Sequence, residues 1–143
     1  MKQFYITTPI YYPNAVPHVG TSYSTIIADV LARYNKLFGR EGYFVTGTDE
    51  HSQKVQNAAD ERGVTPLEHC DEMAENFKAA WKELEIDYDD FFRTSYEWHK
   101  QVVQQCLQEL FDRGEIYEDT YEGWYSVSEE MFFTDKEVVD GKS

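Results

Sequence analysis

Cysteine, cationic side chains and long apolar runs are all scarce in this sequence. Its 143 residues include two cysteines, Cys70 and Cys106, far apart in the chain and each on the apolar stripe of an expected helix. That placement favours unreactive, buried thiols over a disulfide or a metal pair. Lysine and arginine total 13 against 27 acidic residues, a formal net charge of −14. A surface so acidic repels a phosphodiester backbone, so the chain by itself is expected to bind nucleic acid poorly. No run of about 18 apolar residues occurs, and the opening MKQFYITTPI has no apolar signal region; membrane insertion and secretion find no support, and a cytoplasmic location is expected. Internal repeats and low-complexity tracts are lacking as well.

What is present suits a packed core. The chain is 41% hydrophobic and 16% aromatic, with 11 tyrosines and 9 phenylalanines. That is enough for one domain, or a piece of one, and too aromatic for a disordered acidic tail. Charge is unevenly spread: up to Thr48, the cations Lys2, Arg33, Lys36 and Arg40 outnumber Asp29 and Glu41, so the negative excess falls later. The N-terminal third is therefore the part that tolerates an anionic ligand.

Two β-branched and aromatic stretches, FYITT (4–8) and YFVTGT (43–48), read as buried strands. Between them, apolar residues at Ile26, Ile27, Val30, Leu31, Tyr34, Leu37 and Phe38 follow a helical period that Gly39 closes. A strand, helix, strand unit with short joints makes the two strands parallel and points to an open α/β sheet. A second helix is announced by Thr65 as cap, Pro66 at its first position and Glu68 three residues after the cap. Its inner stripe runs through Leu67, Cys70, Met73, Phe77, Trp81 and Leu84. A third repeats the design with a Thr94/Glu97 capping box, a stripe through Trp98, Val102, Cys106, Leu110 and Phe111, and Gly114 as terminator. From Glu115 the texture changes to short tyrosine-rich pieces, read as hairpin strands and turns.

Ligands of open parallel sheets bind beyond the carboxyl ends of the strands. Two clusters lie there, PIYYPNAVPHVGTS after the first strand and GTDEHSQK after the second. In the first, Pro9, Pro13 and Pro17 stiffen the loop, Gly20 lets a ligand approach the backbone, and the following helix offers unpaired N–H groups and a positive dipole end. This is an anion site, in which His18 and Thr21 can donate hydrogen bonds to phosphate oxygens as charge builds. Read alone, His-x-Gly before a helix also arises by chance. In the second cluster, Asp49, Glu50 and His51 crowd charge at the end of a buried strand, which a fold keeps only when the charges are paired or used. The same residues equally suit a helix cap, with Asp49 or Ser52 accepting backbone N–H bonds.

Taken together, TTPIYYPNAVPHVG, IIADVLARY, FVTGTDEH followed by QK, DYDDFFRTS and YEGWYSVSEEMFFT resemble the methionyl-tRNA synthetases, a family of class I aminoacyl-tRNA synthetases, over essentially the whole chain. The resemblance implies the first half of a Rossmann-like, HIGH-type nucleotide-binding parallel sheet with flanking helices over residues 1–114, and the beginning of a connective-peptide insertion over 115–143. It implies ATP-dependent activation of methionine to methionyl-adenylate, with Mg²⁺ accompanying ATP, and transfer to tRNA(Met). His18 and Gly20 occupy the first half of the signature that holds the ATP phosphates. Ile10 and Tyr12 match positions lining the methionine site, Asp49 matches the acid that holds the α-ammonium, and Asn14 and Lys54 fall near the nucleotide.

Three departures accompany the match. Thr21 stands at the signature's second histidine and keeps a donor without the imidazole; one preorganised donor is worth roughly 3 to 4 kcal/mol in such sites. Ser52 replaces the glycine after the aspartate-glutamate-histidine run, which matters only if that position has positive φ. The KMSKS-like motif and the anticodon-binding helical domain are not in this chain, so tRNA contact belongs to regions outside it, and a complementing C-terminal half is expected to cover an open sheet edge. Where zinc-binding relatives carry cysteines, this chain has Ser126, Glu129 and the terminal Ser143, and no zinc is expected. Two alternatives stand beside an enzyme fragment: a truncated, non-catalytic paralogue acting as a methionine- or nucleotide-binding or docking module, and a small nucleotidylyltransferase of the same architecture.

Overall fold

In the computed structural model, which describes residues 3–126, 129–134 and 136–138, three parallel strands form one sheet. They are β1 (Gln3–Thr7), β2 (Glu41–Thr48) and β3 (Asp90–Arg93), in the order β1-β2-β3. Phe4 lies opposite Gly42, and Val45 opposite Asp90. Four helices accompany them, α1 (Val19–Leu37), α2 (Gln53–Arg62), α3 (Pro66–Glu83) and α4 (Glu97–Asp112), followed by an antiparallel hairpin of β4 (Trp124–Ser126) and β5 (Met131–Phe133). The expected α/β class and strand, helix, strand unit are present. The third strand, only four residues long, is too short to announce itself by pattern. It lies so close to β2 that a Cβ on Gly47 would sit 1.9 Å from the Phe92 carbonyl oxygen, so only glycine fits there.

Contacts divide the chain into two compact units, residues 1–100 and 101–143, with the division falling inside α4. In the first, the core joins Ala74, Phe77 and Trp81 of α3 to Phe91 of β3, with Tyr11, Ile86 and Tyr88 packed against them. A second cluster joins Ala28 and Ala32 of α1 to Phe44 of β2. Thr65 caps α3 as expected, accepting the Glu68 N–H at 3.3 Å while Glu68 accepts the Thr65 N–H at 2.9 Å. In the second unit, Phe132 of the hairpin packs edge-on against Tyr121 at 4.9 Å.

Three expectations about faces and caps need correction. α1 buries Thr25, Ala28, Asp29, Ala32 and Asn35, while the large residues read as its inner stripe are exposed, Val30 at 57% and Leu37 at 83% among them. Small side chains let the helix lie close on β2, and the polar ones are satisfied: Asp29 accepts the Asp87 N–H at 2.8 Å and the Arg33 Nε–H at 2.7 Å. The Cys106 thiol is exposed rather than buried, and no residue of α4 is buried. Thr94 does not cap α4 in a box with Glu97. Its N–H continues the ladder to the Thr48 oxygen at 3.2 Å, and its hydroxyl accepts the Glu50 N–H at 2.8 Å. On α3 the stripe is buried at Cys70, Met73, Phe77 and Trp81, while Leu67 and Leu84 at its two ends are exposed.

Candidate functional site

The loop after β1 behaves as a continuation of the sheet. Thr8 donates to the Val45 oxygen at 3.2 Å, Tyr11 to the Gly47 oxygen at 3.0 Å, and Asp49 back to the Tyr11 oxygen at 2.9 Å. Backbone in extended form alternates its side chains. Pro13 is therefore fully buried and Tyr11 half-buried, whereas Ile10 and Tyr12 are 42% and 37% exposed and Asn14 is exposed. The Tyr11 ring stacks on Phe77 of α3 at 5.8 Å, and its hydroxyl reaches Ser24 Oγ at 2.7 Å and Thr25 Oγ1 at 3.0 Å on α1. One tyrosine thus ties the loop to both helices.

His18 caps α1. Its Nδ1 accepts the Gly20 N–H at 3.0 Å, which in the neutral ring leaves the proton on Nε2 as a donor. A Cβ on Gly20 would lie 2.9 Å from His18 Cε1, so the glycine makes room for the imidazole over the helix end. Thr21 Oγ1 accepts the His18 N–H at 3.0 Å and donates to the His18 oxygen at 2.7 Å. The hydroxyl at the second-histidine position works as a cap, with its one proton directed to backbone.

Ile10, Tyr12, Asn14, His18 and Thr21 come together around one open cavity of about 320 Å³, closed by Tyr11, Ala15, Val16 and Phe77. Gly20 lies beneath His18 rather than in the lining. Asp49 is joined to this wall through the Tyr11 backbone and is not part of the lining. Lys54 Nζ stands 5.4 Å from the centre of the Tyr12 ring, a cation–π distance.

The aspartate-glutamate-histidine run separates into distinct jobs. Glu50 is buried, its Oε1 accepting Thr48 Oγ1 at 2.7 Å and Arg93 Nε at 2.7 Å. Arg93 also reaches Asp71 at 2.6 Å. Burial disfavours the Arg93 cation, but the hydrogen bonds it donates to Glu50 and Asp71 outweigh it and hold its pKa above the ordinary arginine value. The Glu50 charge is thus a paired, structural one. His51 is exposed, with Nε2 at 3.3 Å from the Thr94 oxygen. Ser52 caps α2, accepting the Val55 N–H at 3.2 Å with φ −129°, an extended backbone open to any residue, so the missing glycine introduces no strain. The half-buried Asp49 carboxylate has no hydrogen bond or ion pair among the described residues.

Tyr11, Arg93 and His69 were not singled out from sequence, and Phe77 was read as core only. His69 falls on the row 69, 73, 77, 81, four residues apart, and a polar member of such a core row is a signal that was there to read. Ser126 Oγ accepts the Glu129 N–H at 3.4 Å within the hairpin turn, and Ser143 lies outside the described residues. Among the described residues no group of three His, Cys, Asp or Glu side chains is placed to hold a metal ion, and no helix is long and apolar enough to cross a membrane.

Comparison with known proteins agrees over nearly the whole chain. The family model for tRNA synthetases class I (M) matches residues 4–142. A methionine–tRNA ligase of Thermotoga maritima is 50% identical over 137 residues, 96% of this chain and 22% of that protein. One from Clostridium perfringens is 47% identical over 140 residues, again 22% of its length. A solved structure of the Mycobacterium tuberculosis methionyl-tRNA synthetase in complex with methionyl-adenylate superposes with a TM-score of 0.91 at 40% identity, covering 99% of this chain and 28% of that one. The chain therefore spans about a fifth of the length of the curated relatives it matches.

Proposed function

Because the chain belongs to the class I tRNA synthetases of the methionine type, we propose that it is the N-terminal catalytic part of a methionine–tRNA ligase. In this reading it contributes the substrate walls for ATP-dependent activation of methionine, ahead of transfer to tRNA(Met). The observation that carries the reading is that one cavity is lined both by Ile10 and Tyr12 and by His18 and Thr21 at the N-terminus of α1.

Each wall has its own chemistry. Ile10 and Tyr12 give an amphipathic surface for a thioether side chain, and the Asp49 carboxylate suits an α-ammonium. The helix end and the His18 Nε2–H suit triphosphate oxygens, with Asn14 in the same lining. ATP arrives with its Mg²⁺. The methionine carboxylate attacks the α-phosphorus, the bond to the bridging oxygen breaks and pyrophosphate leaves, with His18 donating to oxygens that gain charge. No zinc takes part.

Residues 1–114 then form the first half of the nucleotide fold and 115–143 the start of the connective region, in a cytoplasmic enzyme whose tRNA contacts come from sequence beyond this chain. The remaining half, in the same protein or on a complementing chain, covers the edge of β1 and the exposed apolar face of α1. A methionine-dependent ATP–pyrophosphate exchange assay tests this. Exchange is expected from the chain with its complementing half, falling about 10²-fold or more in His18→Ala; exchange indifferent to His18 would refute it.

One observation favours a second reading. The Thr21 proton is engaged in the cap, which suits a module that keeps methionine binding without adenylation. Calorimetric methionine binding abolished in Asp49→Ala, with no exchange in any combination, would establish that module instead.

A further inference from the structure

The inner face of α3 is apolar except at one place. His69 is 3% exposed, on the same row as Met73, Phe77 and Trp81, which face the core. A buried imidazole needs partners at both nitrogens, and this one has them. Nδ1 lies 2.9 Å from Arg62 Nη1 at the end of α2, and Nε2 lies 2.8 Å from the Pro13 oxygen in the loop after β1. A guanidinium only donates and a carbonyl only accepts, so the ring is neutral with its proton on Nε2. Arg62 is itself oriented by Glu72, 2.5 Å from its Nη2. A relay of hydrogen bonds thus runs from Glu72 through Arg62 and His69 to the loop.

Its end point is well chosen. Pro13 has no N–H, so its carbonyl is the one backbone group by which the chain can be held there. The residues on either side, Tyr12 and Asn14, face the cavity. Tyr11 anchors the loop from α1 and β2, two residues before the His69 bond. We propose that His69 is a positioning residue for the cavity, fixing the Pro13 carbonyl through its Nε2–H so that Tyr12 and Asn14 are held toward the substrate. The inference rests on the reading of this loop as a substrate wall. A methionine or leucine at 69 would fill the core equally well but leave the Pro13 carbonyl and an Arg62 donor unpaired; a glutamine keeps an N–H for Pro13.

The test compares His69→Met and His69→Gln in the full chain, by amide hydrogen exchange and by calorimetric titration with methionine. In His69→Met, exchange at Tyr11, Tyr12, Asn14 and Asp49 is expected to rise about tenfold while α1 is unchanged, and methionine affinity to fall by a similar factor. His69→Gln is expected to restore both to within about threefold. Unchanged loop exchange in His69→Met, or the same acceleration throughout the chain in both variants, overturns the proposal. If no variant and no wild-type chain binds methionine, the substrate reading fails, while the exchange data still decide whether His69 holds the loop. Should His69→Met not fold, His69→Asn, whose shorter amide does not reach the Pro13 oxygen, is compared with His69→Gln in its place; loop exchange equal to wild type in His69→Asn equally overturns it.

Discussion

α1 and α3 flank the same sheet and carry comparably clear apolar stripes, yet they use them in opposite ways. α3 turns its large residues, Phe77 and Trp81, into the core, whereas α1 turns Thr25, Ala28 and Ala32 inward and leaves its aliphatic and aromatic residues outside. The difference teaches that periodicity reports how many faces are apolar, and packing distance decides which one the sheet receives. A helix apolar on two faces keeps one face uncovered when a sheet takes the other. The exposed face of α1 and the open edge of β1 belong together in that respect, and they suit a chain that spans 22% of its relatives' length.

Substitutions can break this contrast, beginning with the largest effect. Phe77→Ala in α3 is expected to cost about 3 to 5 kcal/mol in urea denaturation of the chain. Ala32→Leu, on the small face of α1, is expected to cost about 1 to 3 kcal/mol, because the helix has no room to move off β2; a neutral result would show that the close approach is not real. The two cysteines extend the contrast. Burial, reinforced by the nearby Glu50 carboxylate, pushes the Cys70 thiol up to about 12, while in the unfolded chain it ionises near pH 9. The unfolded state then binds fewer protons across that window, so stability falls as pH rises from about 9 toward 12, by about 1.4 kcal/mol per unit at most. Cys70→Ala should flatten the slope, as measured by denaturation midpoints against pH. A thiol reagent at neutral pH should label Cys106 alone until denaturant is added. Smallest of all, Leu37→Ser on the outer face of α1 should change stability by no more than about 0.5 kcal/mol. A cost approaching that of Phe77→Ala would mean that something already covers this face.

Much of the fold was legible before any coordinates. Thr65, Pro66 and Glu68 announce α3 because capping is local: the donor, the acceptor and the turn lie within four residues. Gly39 and Gly114 adopt φ of 69° and 74° after α1 and α4, as their terminating role requires. The candidate loop after β1 could be read for a related reason, since prolines, glycine and histidine act on the backbone beside them. The partners of Glu50 and His69 were not. Arg93 lies 43 residues from Glu50, and Pro13 lies 56 from His69, and no local pattern records such pairings. Ile10 and Tyr12 were named from the family resemblance, and nothing local marked Tyr11, because a run of adjacent tyrosines does not say which one points inward.

By itself, then, the sequence determined the parallel strand, helix, strand unit, the capping box of α3 and the glycines that end α1 and α4, all of which follow from interactions within a few residues. Tertiary structure decided which face of α1 is covered, that Glu50 is paired with Arg93 while Asp49 has no such partner among the described residues, and that a histidine on α3 meets the Pro13 oxygen in the loop after β1. Those outcomes depend on distances between elements remote in the chain, and such distances exist only once the core has packed.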